Sequence, residues 1–298
     1  MSIAAGIHAR HGVSPSEQDV ITAYCRMDPG ISAHGLSAAR WWGFPLPLDV
    51  ETPIIPSADG TYPIEASVAP RASDGRVHLA YPTPGRRSTT LVRWGTRGFL
   101  PGEVVAVEGA RVTSRLRTLL DLAGVLTVDD LVQIGDHLVR LPRPWFEQRS
   151  NPFATPQQLR AAAQAFSGRG SRRLREAMDL VRLSSDSPAE TRLRLAFVRH
   201  GLPEPLANVR AYAGDVDLGQ PDLHWPQWGV AVEHEGPGHL DRRQQRRDIK
   251  RGEKRRNHGW REVCTTAEDL HDDCWGAVHR ATAALRRQGW DGTVTRLR

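Results

Sequence analysis

The sequence has 298 residues, with 40 Lys and Arg against 34 Asp and Glu, and a formal net charge of +6 at pH 7. Hydrophobic residues make up 39% of the chain and charged residues 25%, a composition that excludes an intrinsically disordered protein. No apolar run approaches the roughly 18–20 residues of a membrane span, and the N-terminus has no signal-peptide pattern, which predicts a cytoplasmic protein without membrane association. Its three cysteines are too few for a disulfide framework.

The first half of the sequence alternates segments with helical and β-type patterns. Apolar residues at helical spacing predict helices within 28–47, 113–124, 128–142, 156–166 and 171–183. Short runs rich in β-branched residues predict strands at 77–81, 90–94 and 104–107. We expect Thr113 to cap the first leucine-rich helix. Residues 1–17 are polar and contain Gly and Ser, so we expect them to be disordered.

A helix start marks a boundary in the middle of the chain. Residues 184–188 read SSDSP, a cap followed by proline, and predict a helix over 189–200. The Pro-rich segment 141–156 is predicted to connect elements within the first half. We therefore expect two domains, an α+β region at 1–183 and a second domain at 184–298.

The second domain has a different order of elements. After His200, short β-type segments are followed by an Arg-rich helix, a strand at 261–266 and a final helix at 267–288. The order α-β-β-β-α-β-α predicts a mixed sheet with helices on its faces, an α/β domain.

Basic residues are concentrated in one window of the second half. Residues 241–261 contain ten Lys and Arg against three Asp and Glu, a local net charge of +7 that exceeds that of the whole chain. A solvated helix face would explain such a run, but beside metal-binding carboxylates it predicts contacts with a phosphate backbone. The predicted DNA-binding residues are Arg242, Arg243, Arg246, Arg247, Lys250, Arg251 and Lys254.

Three carboxylates lie on two predicted strands just upstream of this window. Asp222 belongs to a short strand, and Glu233 and Glu235 lie two residues apart near the end of an apolar strand. Because side chains alternate along a strand, both glutamates are expected on one face. Glu190, on the preceding helix, is expected to reach the same site. Converging carboxylates predict a site for Mg²⁺ or Mn²⁺, which polarises a phosphodiester and activates a water.

The second half resembles the PD-(D/E)XK nucleases, specifically proteins related to very-short-patch-repair endonucleases. The resemblance covers about residues 184–290 and depends on several motifs in a fixed order. They are SPAETRLR, GLPEP, PDLHWP, VAVEHEGPGH, RRD and GW, followed by a late strand and TAEDL. The resemblance implies a restriction-endonuclease-like fold, with a mixed sheet flanked by helices, and cleavage of DNA.

The resemblance also assigns roles to individual residues. It implies that Asp222 and Glu233 bind the metal ion, with Glu235 at the position that is often Lys in the wider superfamily. It matches the helix glutamate of the family to Glu190 and its downstream histidine to His239. The predicted catalytic residues are therefore Asp222, Glu233, Glu235, Glu190 and His239, and the predicted metal ligands are Asp222, Glu233 and Glu235.

Glu235 cannot supply the positive charge that a lysine places on the scissile phosphate. It could instead bind a second metal ion or orient the water. Lys250 and Lys254 are candidates for the missing charge, and His239 is a candidate general acid or phosphate contact. We therefore expect a Mg²⁺- or Mn²⁺-dependent DNA endonuclease acting in DNA repair or phage defence. Two alternatives remain open, a non-catalytic DNA-binding regulator that keeps the nuclease fold and a protein-interaction module with an acidic partner.

The first half resembles the antitoxins of type IV abortive-infection systems. The matching segments are ISAHGLSAARWWGFPLP and GARVTSRLRTLLDLA, together with the helix pair that follows. Those antitoxins begin with a winged helix-turn-helix, whereas 33 residues precede His34 here, so we expect the wing domain to be shortened or missing. The resemblance implies a toxin or another defence-system protein as a partner. Trp41 and Trp42 are expected in the hydrophobic core.

Missing motifs exclude several other enzyme classes. The sequence contains no G-x-x-x-x-G-K-[ST], no G-x-G-x-x-G and no G-x-S-x-G, which argues against an ATPase, a dinucleotide-dependent enzyme and an α/β-hydrolase. His234 and His239 superficially resemble a zinc-protease pair, but the intervening Gly-Pro-Gly does not allow the helix that would align them.

Overall fold

A computed structural model describes residues 2–4, 7–8, 15–47, 50, 75–143, 147–235 and 242–296, with the backbone alone described for 2–4 and 242–249. The chain divides into two compact units. Unit 1 comprises Met1–Leu138 and Phe153–Val181, and unit 2 comprises Val139–Pro152 and Arg182–Arg298. The chain thus passes into unit 2 after Val181, near the boundary predicted at 184.

The segment Val139–Pro152 belongs to unit 2, which corrects the prediction that 141–156 is a connection within the first half. Ion pairs explain the difference. Arg143 pairs with Asp186, and Nη1 of Arg140 lies 4.0 Å from Oδ1 of the same aspartate. Since Asp186 lies two residues before the helix that begins at Pro188 in unit 2, these charges attach the segment there.

Unit 1 combines short strands with helices. In chain order its elements are β1 (Ser2–Ala4), β2 (Ile7–His8), α1 (Glu17–Met27), β3 (Ser32–Ala33), α2 (Gly35–Trp41), β4 (Val77–Tyr81), β5 (Val92–Thr96), β6 (Val104–Val107), β7 (Ala110–Thr113), α3 (Arg115–Leu122), α4 (Val128–Val139), α5 (Pro156–Ala165) and α6 (Ser171–Leu180). The cap of α3 is Ser114, whose hydroxyl accepts a hydrogen bond from the Arg117 N–H at 3.3 Å. The predicted cap, Thr113, is instead the last residue of β7.

A five-stranded mixed sheet forms the centre of unit 1, in the order β5-β4-β3-β7-β6. β4 runs parallel to β5 and β3 parallel to β7, whereas the β3–β4 and β6–β7 pairs are antiparallel. Helix α1 packs against this sheet, so that Ile21 shares a core with Leu79 and Val112. Trp41 and Trp42 pack against the same core, partly buried, in agreement with the expectation for them.

Part of the segment predicted to be disordered has regular structure. β1 pairs antiparallel with β2, and Ile7 is buried in the hydrophobic core of unit 1. Burial of this apolar side chain stabilises the ordered conformation of the segment. Residues 5–6 and 9–14 lie outside the described part of the chain. The sequence analysis also did not predict α1. Its start is a reciprocal cap, in which Ser16 and Asp19 each accept a hydrogen bond from the other's backbone N–H.

Unit 2 carries the elements predicted for the second domain. In chain order they are α7 (Pro188–Arg199), β8 (Leu206–Ala207), β9 (Tyr212–Ala213), β10 (Val216–Asp217), β11 (Leu223–Trp225), β12 (Val230–Glu235), α8 (Arg242–Asn257), β13 (Arg261–Thr266) and α9 (Trp275–Arg287). Helix α9 begins later than the predicted residue 267. The preceding Asp272, Asp273 and Cys274 all have positive φ, so the chain turns left-handed before the helix can start.

The main sheet of unit 2 has the order β13-β12-β11-β8. β12 and β13 are parallel and are joined through α8, whereas β11 is antiparallel to both β12 and β8. One face packs on α7 and α9, so that Trp225 and Val232 share a core with Phe197. Ala231 lies on the opposite face, packed with Trp260. The prediction of a mixed α/β architecture, with mixed sheets flanked by helices, is confirmed. Within the described ranges, no helix is both long enough and apolar enough to cross a membrane.

Candidate functional site

Strand pairing brings the predicted carboxylates of unit 2 together. In the β11–β12 ladder Leu223 lies opposite Val232, and continuing this register by one residue puts Asp222 opposite Glu233. Since side chains alternate along a strand, Glu233 and Glu235 lie on one face of β12, as the spacing predicts. This is the sheet face that α8 covers, away from the core shared with α7 and α9.

Asp222 is held by the backbone of the neighbouring strand. Its Oδ2 accepts a hydrogen bond from the His234 N–H at 2.7 Å. Burial raises the pKa of Asp222, against the opposing effects of that hydrogen bond and of the positive charges of Arg251 and Arg255. Oδ1 accepts no hydrogen bond from the described residues, so one carboxylate oxygen remains available to another partner.

Glu190 is fixed at the start of α7. Its carboxylate accepts hydrogen bonds from the Ser187 hydroxyl at 2.9 Å, from the Asp186 N–H at 2.8 Å and from Nδ2 of Asn208. Burial, followed by the negative charge of Asp222, raises the pKa of Glu190 to about 7. The backbone N–H of Asn208 donates to the backbone carbonyl of Asp222 at 2.9 Å, so Asn208 links the Glu190 carboxylate to the main chain of the residue that directly precedes β11.

Arg255 is the main residue of this site that the sequence analysis missed. It is 1% exposed, and its Nη1 donates to Oε1 of Glu233 and, at 2.6 Å, to Oε2 of Glu262. Nε donates to the carbonyl of Leu218 at 3.2 Å. An arginine within a strongly basic helix is expected to face solvent, but α8 packs on β13 and turns this one inward. The available signal was Gly252, one helical turn earlier, which is buried beside Glu262.

The contact with Arg255 does not offset the effects of burial and of Asp222 on the pKa of Glu233. Burial, followed by the charge of Asp222, raises the pKa of Glu233 to about 7, although Arg255 acts in the opposite direction. Two partly buried carboxylates therefore repel each other on adjacent strands. An added cation would relieve this repulsion.

The other predicted residues lie at the edge of this arrangement or outside the described part of the chain. Glu235 is exposed at the end of β12. Lys250, Arg251 and Lys254 are exposed on α8. The positive charge of Arg251 acts on Asp222 and lowers its pKa. His239 lies outside the described residues, and so do the side chains of Arg242, Arg243, Arg246 and Arg247, whose backbone belongs to α8.

The donor chemistry fits a hard divalent cation, although the arrangement is incomplete. Asp222 and Glu233 offer carboxylate oxygens, the ligands that Mg²⁺ and Mn²⁺ prefer. Within the described ranges, no group of three or more His, Cys, Asp or Glu side chains is placed to hold a metal ion. Arg255 occupies one oxygen of Glu233. A metal ion would therefore be held by Asp222 and by the other oxygen of Glu233, with further ligands from water or substrate.

Comparison of the chain with protein-family models, with curated proteins and with solved structures finds no match. The carboxylates and Arg255 of unit 2 are therefore interpreted from their own geometry and charge.

Proposed function

We propose that unit 2 is a metal-dependent endonuclease of the PD-(D/E)XK type, with a restriction-endonuclease-like fold, that hydrolyses DNA phosphodiester bonds in the cytoplasm in DNA repair or phage defence. One observation carries this proposal. The register of β11 and β12 puts Asp222 beside Glu233 on one sheet face, both half-buried, and burial together with the charge of Asp222 raises the pKa of Glu233 and of Glu190. Raised pKa values that combine burial with a specific charged neighbour are typical of functional sites.

Asp222 and Glu233 would hold a Mg²⁺ or Mn²⁺ ion, which when bound polarises the phosphodiester and lowers the pKa of the attacking water. Arg255 orients Glu233, and the His234 N–H orients Asp222. In the hydrolysis the water oxygen bonds to phosphorus and the water gives up a proton. The bond from phosphorus to the oxygen of the leaving strand breaks, and that oxygen takes up a proton. Glu190, with a pKa of about 7, is able to exchange a proton near neutral pH.

The positively charged side chain that contacts the scissile phosphate has to come from outside the carboxylate cluster. Arg255 is committed to Glu233 and Glu262, so the exposed Lys250 and Lys254 of α8 remain the candidates for that contact. The role of His239 as a general acid or a phosphate contact stays a prediction, as does that of Glu235 toward a second ion or the water.

Incubation of the purified full chain with plasmid and with mismatched duplex DNA tests the proposal. Each substrate is tested with Mg²⁺, with Mn²⁺ and with EDTA. We expect nicking or linearisation in both metal ions and intact DNA in EDTA. Cleavage that persists in EDTA would contradict a metal-dependent mechanism, and absence of cleavage in every reaction would contradict nuclease activity.

A second candidate function is a DNA-binding regulator that keeps the nuclease fold, with a toxin or another defence protein as its partner. The contact between Arg255 and Glu233 favours it, because a fixed guanidinium already neutralises part of the carboxylate cluster. This function predicts salt-sensitive DNA binding without turnover in Mg²⁺ or Mn²⁺.

A further inference from the structure

A groove of about 430 Å³ runs between strand β13 and helix α9 in unit 2. Among the described strands, β13 is the last in its sheet, so β12 is its neighbour on one side only. Helix α9 passes beside the other side and contacts the chain at two points. Nη2 of Arg280 donates to the carbonyl of Cys264 at 3.2 Å, and Nε2 of Gln288 donates to the carbonyl of Gly259 at 2.7 Å. The helix therefore runs antiparallel to β13, with the groove between the two contacts.

The open edge of β13 presents backbone groups without partners. In a parallel ladder, alternate residues direct their N–H and C=O toward the neighbouring strand, and the residues between them direct theirs away from it. The N–H of Arg261 donates to the carbonyl of Gly229 at 2.8 Å, so Glu262 and Cys264 direct theirs to the open side. Arg280 takes the carbonyl of Cys264. Within the described residues, the N–H and C=O of Glu262 and the N–H of Cys264 are left without a partner.

The groove carries positive charge that the described residues do not neutralise. Arg261 and Arg287 line it, both are exposed, and neither forms an ion pair within the described part of the chain. The carboxylate of Glu262 is already paired with the arginine that α8 turns inward. Arg280 is paired with Asp269, its Nη2 lying 2.7 Å from Oδ1. Two guanidinium groups therefore remain for the carboxylates of a partner.

Helix α9 leaves room between these charges. His279, Ala283 and Arg287 lie four residues apart, on one stripe of the helix, and all three line the groove. The residue in the middle of the stripe, Ala283, is half-buried and carries the smallest of the three side chains. Because no large side chain stands there, the main chain of an added strand has room beside β13.

We propose that this groove binds an extended, acidic peptide segment of a partner protein, which adds a strand to the sheet beside β13. The peptide backbone pairs with the outward groups of Glu262 and Cys264, and peptide carboxylates pair with Arg261 and Arg287. A nucleic acid backbone fits less well, because its phosphate oxygens only accept hydrogen bonds and leave the carbonyl of Glu262 unpaired. The surface belongs to β13 and α9, and the inference does not depend on the proposed nuclease activity.

Fluorescence anisotropy of the full chain tests the groove with three labelled octapeptides. The first alternates glutamate and valine, the second alternates lysine and valine, and the third is the acidic peptide methylated at every backbone nitrogen. We expect the first to bind and the second not to bind. The third should bind about tenfold or more weakly than the first, because methylation removes the donors of the backbone hydrogen bonds. Absence of binding by the acidic peptide, or equal binding of its methylated form, would overturn the proposal.

Two pairs of variants locate the bound peptide. Arg287→Gln removes a charge that lines the groove, whereas Arg286→Gln removes the neighbouring exposed charge that does not. We expect Arg287→Gln to weaken binding about threefold to fivefold, as the loss of one exposed charge contact does, and Arg286→Gln to have no effect. Ala283→Gln fills the groove without a change of charge and should also weaken binding, unlike Ala161→Gln at an exposed alanine of α5 in unit 1. Equal affinities within both pairs would place the peptide elsewhere and contradict the site.

The same variants distinguish two other occupants of the groove. If the acidic peptide does not bind, and a labelled single-stranded oligonucleotide loses affinity in Arg287→Gln but not in Arg286→Gln, the groove contacts nucleic acid. If sedimentation shows a dimer of the unchanged chain that Arg287→Gln alone dissociates, a second copy of the chain occupies the groove. Either result would overturn the proposal of an acidic partner peptide.

Discussion

Arg255 and Glu233 form a buried ion pair on the sheet face that carries the proposed nuclease site. Nη1 of Arg255 donates to Oε1 of Glu233, and the arginine side chain is 1% exposed. The pair comes from α8 and β12, elements that are adjacent in the chain, and Glu262 of β13 shares the same nitrogen. The contact therefore connects the basic helix to both parallel strands of the sheet.

Removal of this guanidinium should destabilise unit 2. Arg255→Met leaves Glu233 and Glu262 partly buried without their cation, and we expect the free energy of unfolding to fall by about 3 kcal/mol. Urea denaturation followed by circular dichroism measures the change. Arg256→Gln, at an exposed neighbour on the same helix, serves as the control and should change stability little. If both variants unfold at the same urea concentration, the ion pair between Arg255 and Glu233 does not stabilise unit 2.

The carboxylates should titrate as a coupled set. Asp222→Asn removes the negative charge that contributes to the raised pKa of both Glu190 and Glu233, so we expect both pKa values to fall from about 7. Carboxyl ¹³C resonances followed by NMR over a pH range of about 3–9, which includes both the ordinary carboxyl pKa and the raised value of about 7, report the shift. Asp215→Asn, an exposed position between β9 and β10, should leave them unchanged. Unshifted pKa values in Asp222→Asn would mean that the acids do not interact.

Stability should depend on pH through Glu190. Its pKa is raised from the ordinary value of 4.5 to about 7, so the folded chain keeps a proton that the unfolded chain releases. The stabilising contribution is thus fully present below pH 4.5 and is lost as the pH rises to about 7. We expect the free energy of unfolding, measured in EDTA, to fall less steeply over this window in Glu190→Gln. Identical slopes in the two proteins would contradict the raised pKa.

DNA affinity should depend on salt through the exposed face of α8. We expect the slope of log K against log salt to become shallower by about 0.9 for each phosphate contact removed, in Lys250→Gln and again in the double variant with Lys254→Gln. Fluorescence anisotropy of a labelled duplex measures the slope. Arg172→Gln, an exposed charge on α6 in unit 1, is the control. Slopes that do not change in the lysine variants would place the phosphate contacts elsewhere.

Local patterns predicted much of the fold and the carboxylate pairing. β4, β6 and β13 have the predicted bounds, because each is a short run of residues with strand propensity bounded by turn residues. The cap of α1 was also readable from Ser16 and Asp19, although the sequence analysis did not use it. Contacts between distant segments were not predictable in this way. The inward turn of Arg255 depends on how α8 packs on β13, and no periodicity within a basic helix indicates it.

The proximity of His34 and Asp121 in unit 1 was equally beyond local reasoning. His34 follows β3, whereas Asp121 belongs to α3, and only the folded sheet brings the two within 3.9 Å. Sequence spacing of 87 residues carries no information about such a pair. The same applies to the placement of Val139–Pro152 in unit 2, which depends on charges near Asp186.

Cleavage of supercoiled plasmid by the full chain in Mn²⁺, compared between Asp222→Asn and Asp215→Asn, tests the central claim most directly. The two substitutions remove the same charge from the same unit, one at the carboxylate cluster and one at an exposed turn. The proposed nuclease predicts that Asp215→Asn cleaves as the unchanged chain does, while Asp222→Asn still binds the plasmid but leaves it intact. Equal cleavage by the two variants, or none by the unchanged chain, would contradict the proposed active site.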